Sequence, residues 1–382
     1  MNVETTLANA QNNPVVKTFL QAQIKYPQKF TTLIHEDDEM YLYSLQNLNG
    51  DKQEACLRYY SLGKRIFDAV KQIVEWHFHQ FDNLSSFLDF ASGYGRFTRF
   101  LLQELPPNKI WVSDIYQAGV KFQIEQFGVN GIVSVEAPQD YATPQQFDCI
   151  LASSFFSHTP KTTFAPWLEK LYSLLNPNGI LIFSVHDISL IPPDVALNAG
   201  GIYFTPESES RTLDKQLYGT AYVSEEFVSQ IIKQIIGNSA AFTRIPKGLC
   251  HYQDIYAIVK NPNIKFSALN FHHHPDGWVD NCNFAPTGEL QFHGWALDFN
   301  QNGGIEDIQI LVNGKILQRC LPDRERPDVA AYFQNNQALH CGWFCFLAKD
   351  VVEPDDVILV KVINQHKLER VIASGTLQSL VK

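Results

Sequence analysis

The chain has no apolar run near the ~20 residues a helix needs to cross a bilayer. Its first residues, Met-Asn-Val-Glu-Thr-Thr, lack the basic start and apolar stretch of a secretory leader. A cytoplasmic location is therefore expected. No Cys-x-x-Cys pair occurs among the seven cysteines. Cys341 and Cys345 are nearest in sequence, but on one strand face they would sit ~13 Å apart, too far to bridge. The scatter and the odd count fit a reducing compartment and argue against structural zinc. Positive charge is also short: 30 Lys and Arg stand against 40 Asp and Glu, for a net charge of −10. That balance argues against an enzyme working on nucleic-acid strands, which usually shows a basic face, and leaves room for a local basic patch. The 382 residues leave room for two or three domains.

What is present concentrates at residues 87–99, Phe-Leu-Asp-Phe-Ala-Ser-Gly-Tyr-Gly-Arg-Phe-Thr-Arg. An apolar strand meets an acid at Asp89, then a turn of small residues, then a helix expected to begin near Arg96. Ala91, Ser92, Gly93 and Gly95 let the backbone come close to a ligand. A dinucleotide fingerprint needs a third glycine three residues after Gly95, and Thr98 stands there. No Gly-Lys-Ser/Thr follows, so a P-loop is excluded as well.

The remaining pattern is acid, any residue, small, small, Gly, any residue, Gly. It resembles motif I of the class I S-adenosylmethionine (SAM) dependent methyltransferases. The resemblance extends in order from about 85 to 260. A second strand at 109–115 ends in Asp114, where the family's acid grips both ribose hydroxyls. A third at 131–137 ends in Glu136 and Ala137, which in the family flank adenine. A fourth spans 147–153, and Ser153 just beyond it falls beside the methionine end. A helix at 164–175, the turn Asn176-Pro177-Asn178-Gly179 and the strand 180–186 complete the series. The resemblance implies a Rossmann-like α/β sheet, SAM as cofactor, and Asp89, Ala91, Ser92, Gly93, Gly95, Asp114, Glu136, Ala137 and Ser153 as its contacts. Ala91 stands where the family most often has glycine, and is tolerated if its φ is negative. Asp148, early in the fourth strand, reads as a fold feature.

Around this core, residues 1–12 read as loose. Residues 1–80 read as a helical segment and lid, its clearest helix running from Gln53 to Phe78 with a break possible at Gly63. The methyltransferase domain spans 81–262. Residues 187–223 show no period and leave the fifth strand where open α/β sheets bind ligands, so they suit the wall of an acceptor pocket. Ser224 reads as the cap of a helix to Ile236, followed by an antiparallel hairpin over 242–246 and 252–260. From 270 to 382, short strands at 290–295, 308–312, 315–319, 342–347 and 357–364 alternate with turns, Asn313-Gly314 being a hairpin signal. This predicts a β-sandwich of the immunoglobulin-like kind. Gly294-Trp295-Ala296-Leu297-Asp298 and Arg326-Pro327-Asp328-Val329 resemble a module appended to bacterial glycan-related enzymes.

Two histidines are candidates for a catalytic base: His158, after the fourth strand, and His186, ending the fifth. Either can instead hold a loop carbonyl. His272-His273-His274 reads as a linker, because three consecutive histidines do not face one ion; no metal site is expected. Trp278, Trp295 and Trp343 read as sandwich core. Arg324, Arg326 and Asp328 read as a salt bridge holding a turn.

The leading expectation is an O-methyltransferase acting on a small molecule or a glycan terminus, with no nucleic-acid partner and no membrane span. Ala152-Ser153-Ser154-Phe155 stands where amino-group methylases of nucleobases carry Asn-Pro-Pro-aromatic. The alternative is a non-catalytic scaffold bearing a carbohydrate- or protein-binding sandwich. A glycosyltransferase reading lacks an Asp-x-Asp motif.

Overall fold

The computed structural model describes residues 12–143, 145–192, 200–210 and 212–381. Of the stretch expected to be loose, 1–11 lies outside these residues. The described chain divides into two compact units, residues 28–50 with 62–271, and residues 12–27 with 51–61 and 272–381. The N-terminal stretch is shared between them. It carries α1 (Pro14–Gln21), α2 (Glu39–Asn47) and α3 (Lys52–Phe78). Asp38 caps α2, its carboxylate accepting from the N–H groups of Met40 and Tyr41 at 3.0 and 3.2 Å.

The first unit is built on a nine-stranded sheet. Its strands are β1 (Phe87–Phe90), β2 (Ile110–Asp114), β3 (Asn130–Val133), β4 (Phe147–Ala152), β5 (Leu175–Asp187), β6 (Ile202–Thr205), β7 (Thr220–Val223), β8 (Ala241–Leu249) and β9 (Gln253–Val259). The order is β3-β2-β1-β4-β5-β7-β6, with β9 on β5 and β8 on β9. Strands β1 to β5 are parallel, and β9 runs antiparallel to β5. This is the Rossmann-like sheet expected. Helices α4 (Thr98–Leu101), α5 (Gln117–Phe127), α6 (Lys161–Ser173) and α7 (Glu225–Ile236) connect the strands. All four residues of β1 are buried, as a central parallel strand covered on both faces requires. Ser224 caps α7, accepting from Phe227 N–H at 3.1 Å.

Several boundaries differ from expectation. The helix placed near Arg96 begins at Thr98 and lasts one turn. Strand β3 stops at Val133, so Glu136 and Ala137 lie on the loop beyond it. The Asn176–Gly179 turn is a bulge within β5: Phe147 pairs with Leu175, yet Cys149 pairs with Ile180. The 187–223 stretch, expected to be irregular, holds β6 and β7, and β7 pairs in parallel with His186 and Asp187. Strands of four residues between Gly and Pro are too short to show a period. Residues 193–199 and 211 of that stretch lie outside the described ones. Gly63 does not interrupt α3. A Cβ there would stand 2.5 Å from the Arg96 carbonyl oxygen and 2.8 Å from Phe100, so this glycine lets α3 approach the turn after β1.

The second unit is a sandwich of two antiparallel sheets. One orders β10 (Asp276–Phe284), β11 (Leu290–Leu297) and β14 (Gly342–Leu347); the other orders β13 (Lys315–Cys320), β12 (Ile305–Val312), β15 (Val357–Asn364) and β16 (Glu369–Thr376). Strands β10 and β16 were not anticipated. β10 buries only Gly277 and Cys282 and exposes Trp278 and Phe284, and β16 buries only Gly375, so neither shows the alternation of a half-buried strand. Phe292, Ile308, Ile310, Trp343, Val360 and Val362 form the core between the sheets. Gly294 leaves room for Trp343, whose ring would lie 2.7 Å from a Cβ at that position. Asn313 and Gly314 take φ 49° and 79°, as the tight hairpin demands. Trp343 is core, but Trp278 is 61% exposed, against expectation. It sits on the outward register of β10, opposite Trp295. Arg326 pairs with Asp328 and with Asp280, tying the turn before the short helix α8 (Pro327–Phe333) to β10. Arg324 pairs with Asp323, at 3.7 Å, and lies over the Phe344 ring, at 4.6 Å. His272 stacks on His366, while the backbone of His273 is held by Asn300 and Asn364.

Candidate active site

The site is built at the carboxyl ends of β1, β2 and β4, where the chain must turn from strand to helix. After β1 the backbone enters the left-handed region at Ala91, Gly93 and Gly95, with φ of 58°, 56° and 81°. The negative φ expected for Ala91 is therefore corrected. A left-handed alanine costs about 1–2 kcal/mol, a strain that surrounding contacts must overcome.

Those contacts are specific. Gly93 N–H donates to Asp114 Oδ2 at 2.7 Å, and Gly95 N–H donates to the Ser92 carbonyl at 3.0 Å. From α5, the Gln123 amide donates to Ser92 Oγ at 2.9 Å and to the Gly93 carbonyl at 3.0 Å. Arg99, fully buried, donates to the carbonyls of Gly95 and Tyr94 and to those of Thr31 and Leu33. The turn is thus braced from three sides. Neither Gln123 nor Arg99 was singled out in the sequence, since each acts through backbone carbonyls that no motif records.

A cavity of about 1450 Å³, counting its open mouth, lies against this turn. Asp89, Ala91, Ser92, Gly93, Asp114, Glu136 and Ser153 line it. Gly95 and Ala137 do not. A Cβ on Gly95 would meet Phe127 at 2.3 Å and Gln123 at 2.7 Å, so that glycine serves packing. A Cβ on Gly93 would meet nothing within 4 Å and would project into open space. The hydroxyl of Ser153 is buried, and among the described residues it has no hydrogen-bond partner. A bare glycine cradle and an orphaned hydroxyl in one cavity leave room and polarity for a ligand.

Burial dominates the electrostatics. Asp89 is pushed up to about 7 by desolvation, opposed by the Thr98 hydroxyl that donates to it at 2.7 Å and reinforced by nearby Asp114. Asp114 is pushed up to about 6, again by desolvation, against the N–H groups of Tyr116 and Gly93. On the far side the cavity is closed by Asp38, Glu39 and Met40 and by Glu209, Leu213, Asp214, Leu217 and Tyr218. The Tyr116 hydroxyl joins these walls, lying 3.1 Å from Glu39, 2.8 Å from Ser210 and 3.0 Å from Thr212.

The two histidines lie beside the cavity and not on its lining. Their rings are 6.1 Å apart. His158 Nδ1 is 2.7 Å from the Gly219 carbonyl, and Nε2 is 3.3 Å from Glu209. His186 Nε2 accepts from the Gln253 amide at 3.1 Å. Gln253 also joins Ser184 and Ser154. Burial lowers His186 to about 4, with His158 adding to the shift, so its imidazole is neutral. Asp148 accepts from Ser85 N–H at 2.6 Å and from Asn176 at 2.7 Å, a role confined to the fold.

Residues 88–181 match the family model described as a methyltransferase domain. With the strand order above, the chain carries a class I methyltransferase domain, a domain whose cofactor is SAM. Its fold is similar to that of a 1,6-didemethyltoxoflavin-N1-methyltransferase from Burkholderia thailandensis, at 15% identity and TM-score 0.37, covering 60% of this chain and 92% of the other. It is also similar to CalS10, an amino pentose methyltransferase from Micromonospora echinaspora, at 10% identity and TM-score 0.39, covering 58% and 97%. No curated protein matches the chain. Among the described residues, no helix is long and apolar enough to cross a membrane.

Proposed function

We propose that the domain transfers a methyl group from SAM to an oxygen of a small molecule or of a glycan terminus. The observation that carries this reading is a single cavity joining the glycine cradle, the buried acids and the Glu209–His158 corner. Asp114 would accept from both ribose hydroxyls, as a carboxylate can. Glu136 would lie by adenine. Ser153, with its hydroxyl unpartnered, would meet the methionine end. Bound there, SAM supplies a methyl on a sulfonium for direct displacement. The chain's part is to align the acceptor and exclude water.

Asp38, Glu39 and Met40 on one wall and Glu209, Leu213, Asp214, Leu217 and Tyr218 on another bound the cavity, and seven carboxylates against Arg96 line it. Both features suit a small uncharged or cationic acceptor over a polyanion. Of the two histidines, His158 is the one tied to the cavity, through Glu209 and Tyr218, and it belongs to the base. His186 is neutral and fixed by Gln253, a strand-end anchor.

The exposed Trp278 favours one addition. The sandwich offers an aromatic face on which a sugar ring could stack, so the scaffold reading is kept for that unit alone. Calorimetry with S-adenosylhomocysteine (SAH) tests the domain, with micromolar binding expected; absence of binding at millimolar nucleoside overturns the proposal. Transfer of labelled methyl to a pyranoside and to a phenol then separates the acceptor classes.

A further inference from the structure

The catalytic corner has a feature that no motif marks. The only proton arrangement that serves His158 Nδ1 is as donor to the Gly219 carbonyl, which can only accept, at 2.7 Å. Its Nε2 lies 3.3 Å from Glu209 Oε1. Tyr218 covers one ring face, stacked at 4.6 Å and 16°. Nδ1 is thus engaged, Nε2 pairs with Glu209 when the ring carries both protons, and the imidazole is buried behind the cavity wall. Glu209 is different. It lines the cavity, its side chain is 20% exposed, and among the described residues its second oxygen has no hydrogen bond.

Position agrees with this. Asp114 and Glu136 follow β2 and β3, on one side of β1. His158 follows β4, on the other side, and Glu209 sits on it. Asp114 and Glu136 therefore reach the cavity from the β2 and β3 side, and the Glu209 carboxylate reaches it against His158, from the β4 side.

We infer that Glu209, and not His158, meets the acceptor, and that His158 is a positioning residue which holds the carboxylate in place. This rests on the methyltransferase reading above. The acceptor is then a hydroxyl compound. Its oxygen forms the new bond to the methyl carbon as the sulfur–carbon bond breaks and that electron pair stays on sulfur. The hydroxyl proton passes to the free oxygen of Glu209. A sulfonium and a carboxylate become a neutral thioether and a neutral acid, so charge balances. A carboxylate is suited to this corner because the sulfonium's positive charge disappears in the same step.

The test needs no knowledge of the acceptor. Sinefungin carries a C–NH₃⁺ group where SAM has its methylsulfonium, and SAH carries only a neutral thioether there. A carboxylate facing the acceptor site favours sinefungin over SAH. Calorimetry on the full chain should show that preference in the wild type. Glu209→Gln should lose it at least tenfold, with SAH affinity changed less than twofold. His158→Ala should lose most of it while binding SAH normally. His158→Gln, which keeps an N–H near the Nε2 position, should restore it to within about threefold of wild type. A purely structural histidine would move both nucleosides together. An unchanged ratio in Glu209→Gln, or no preference in a wild type that binds SAH, overturns the inference and leaves the methyltransferase reading standing. A wild type that binds neither nucleoside overturns both.

Discussion

Cofactor affinity should rise steeply with pH between 6 and 7.5. Asp89 and Asp114 are buried, so each keeps its proton far above the usual carboxylate range, to about 7 and about 6. At pH 6 Asp89 is ionised in about a tenth of molecules and Asp114 in about half; at pH 7.5 the fractions are about three quarters and nearly one. A nucleoside whose ribose hydroxyls and α-ammonium need both charges then gains about fifteen-fold in affinity, or about 1.6 kcal/mol. Asp89→Asn removes the larger share and should leave about a twofold rise, that of Asp114 alone. The ligand-free fold has the opposite trend. Both groups have raised folded pKa values, so their stabilising contribution is full below the unfolded value near 4 and is lost as pH rises through 6 and then 7. Calorimetry with SAH at constant ionic strength, paired with thermal melts of the free chain, reads both slopes. A flat affinity across this range, or a fifteen-fold rise that survives in Asp89→Asn, would refute the reasoning.

Two substitutions probe the brace around the turn. Gly95→Ala combines φ 81° with a Cβ 2.3 Å from Phe127, and should destabilise the chain by about 2–4 kcal/mol and abolish SAH binding; an unchanged melting temperature would contradict this. Arg99→Met takes the guanidinium donor from the carbonyls of Tyr94, Thr31 and Leu33 and should cost about 1–3 kcal/mol, with faster proteolysis between residues 28 and 35; equal protease resistance would show that the guanidinium does not anchor that segment.

Much of the domain was legible because its signals are local. The Asp89 turn, the Ser224 cap and the Asn313-Gly314 hairpin each depend on residues within a few positions of one another. The succession of the parallel strands along the chain was read from the motifs at their ends, and the Rossmann-like sheet from the resemblance those motifs carry. What was missed is long-range. Glu209 reaches His158 across 51 positions of chain, and Arg99 reaches Thr31 across 68. Gln123 holds the glycine turn from a helix whose pattern shows only ordinary amphipathicity. Strands β6 and β7 exist because β5 offers an edge at His186 and Asp187, a fact of tertiary pairing. The role of Gly63 was misread for the same reason: its cause is the Arg96 carbonyl beside it, not the helix it lies in.

Ala91 shows how strain and site relate. Two non-glycine residues on the cavity lining, Ala91 after β1 and Ser154 after β4, are left-handed, both with φ 58°. Ser154 is compensated, its N–H donating to Ser184 Oγ at 2.8 Å. Ala91 keeps a methyl packed against the core that includes Phe90 and Trp167. Replacing it by glycine relieves about 1–2 kcal/mol of backbone strain. Against that stand about 0.4–1 kcal/mol of unfolded-state entropy and up to about 0.8 kcal/mol for the lost methyl. The terms nearly cancel, so Ala91→Gly should leave stability within about 0.5 kcal/mol of wild type. An ordinary Ala-to-Gly change in a helix or strand costs about 0.5–1 kcal/mol. Denaturant titration distinguishes the two. A loss of a full kcal/mol would mean that Ala91 carries no strain, and that the alanine is held by its methyl contact alone.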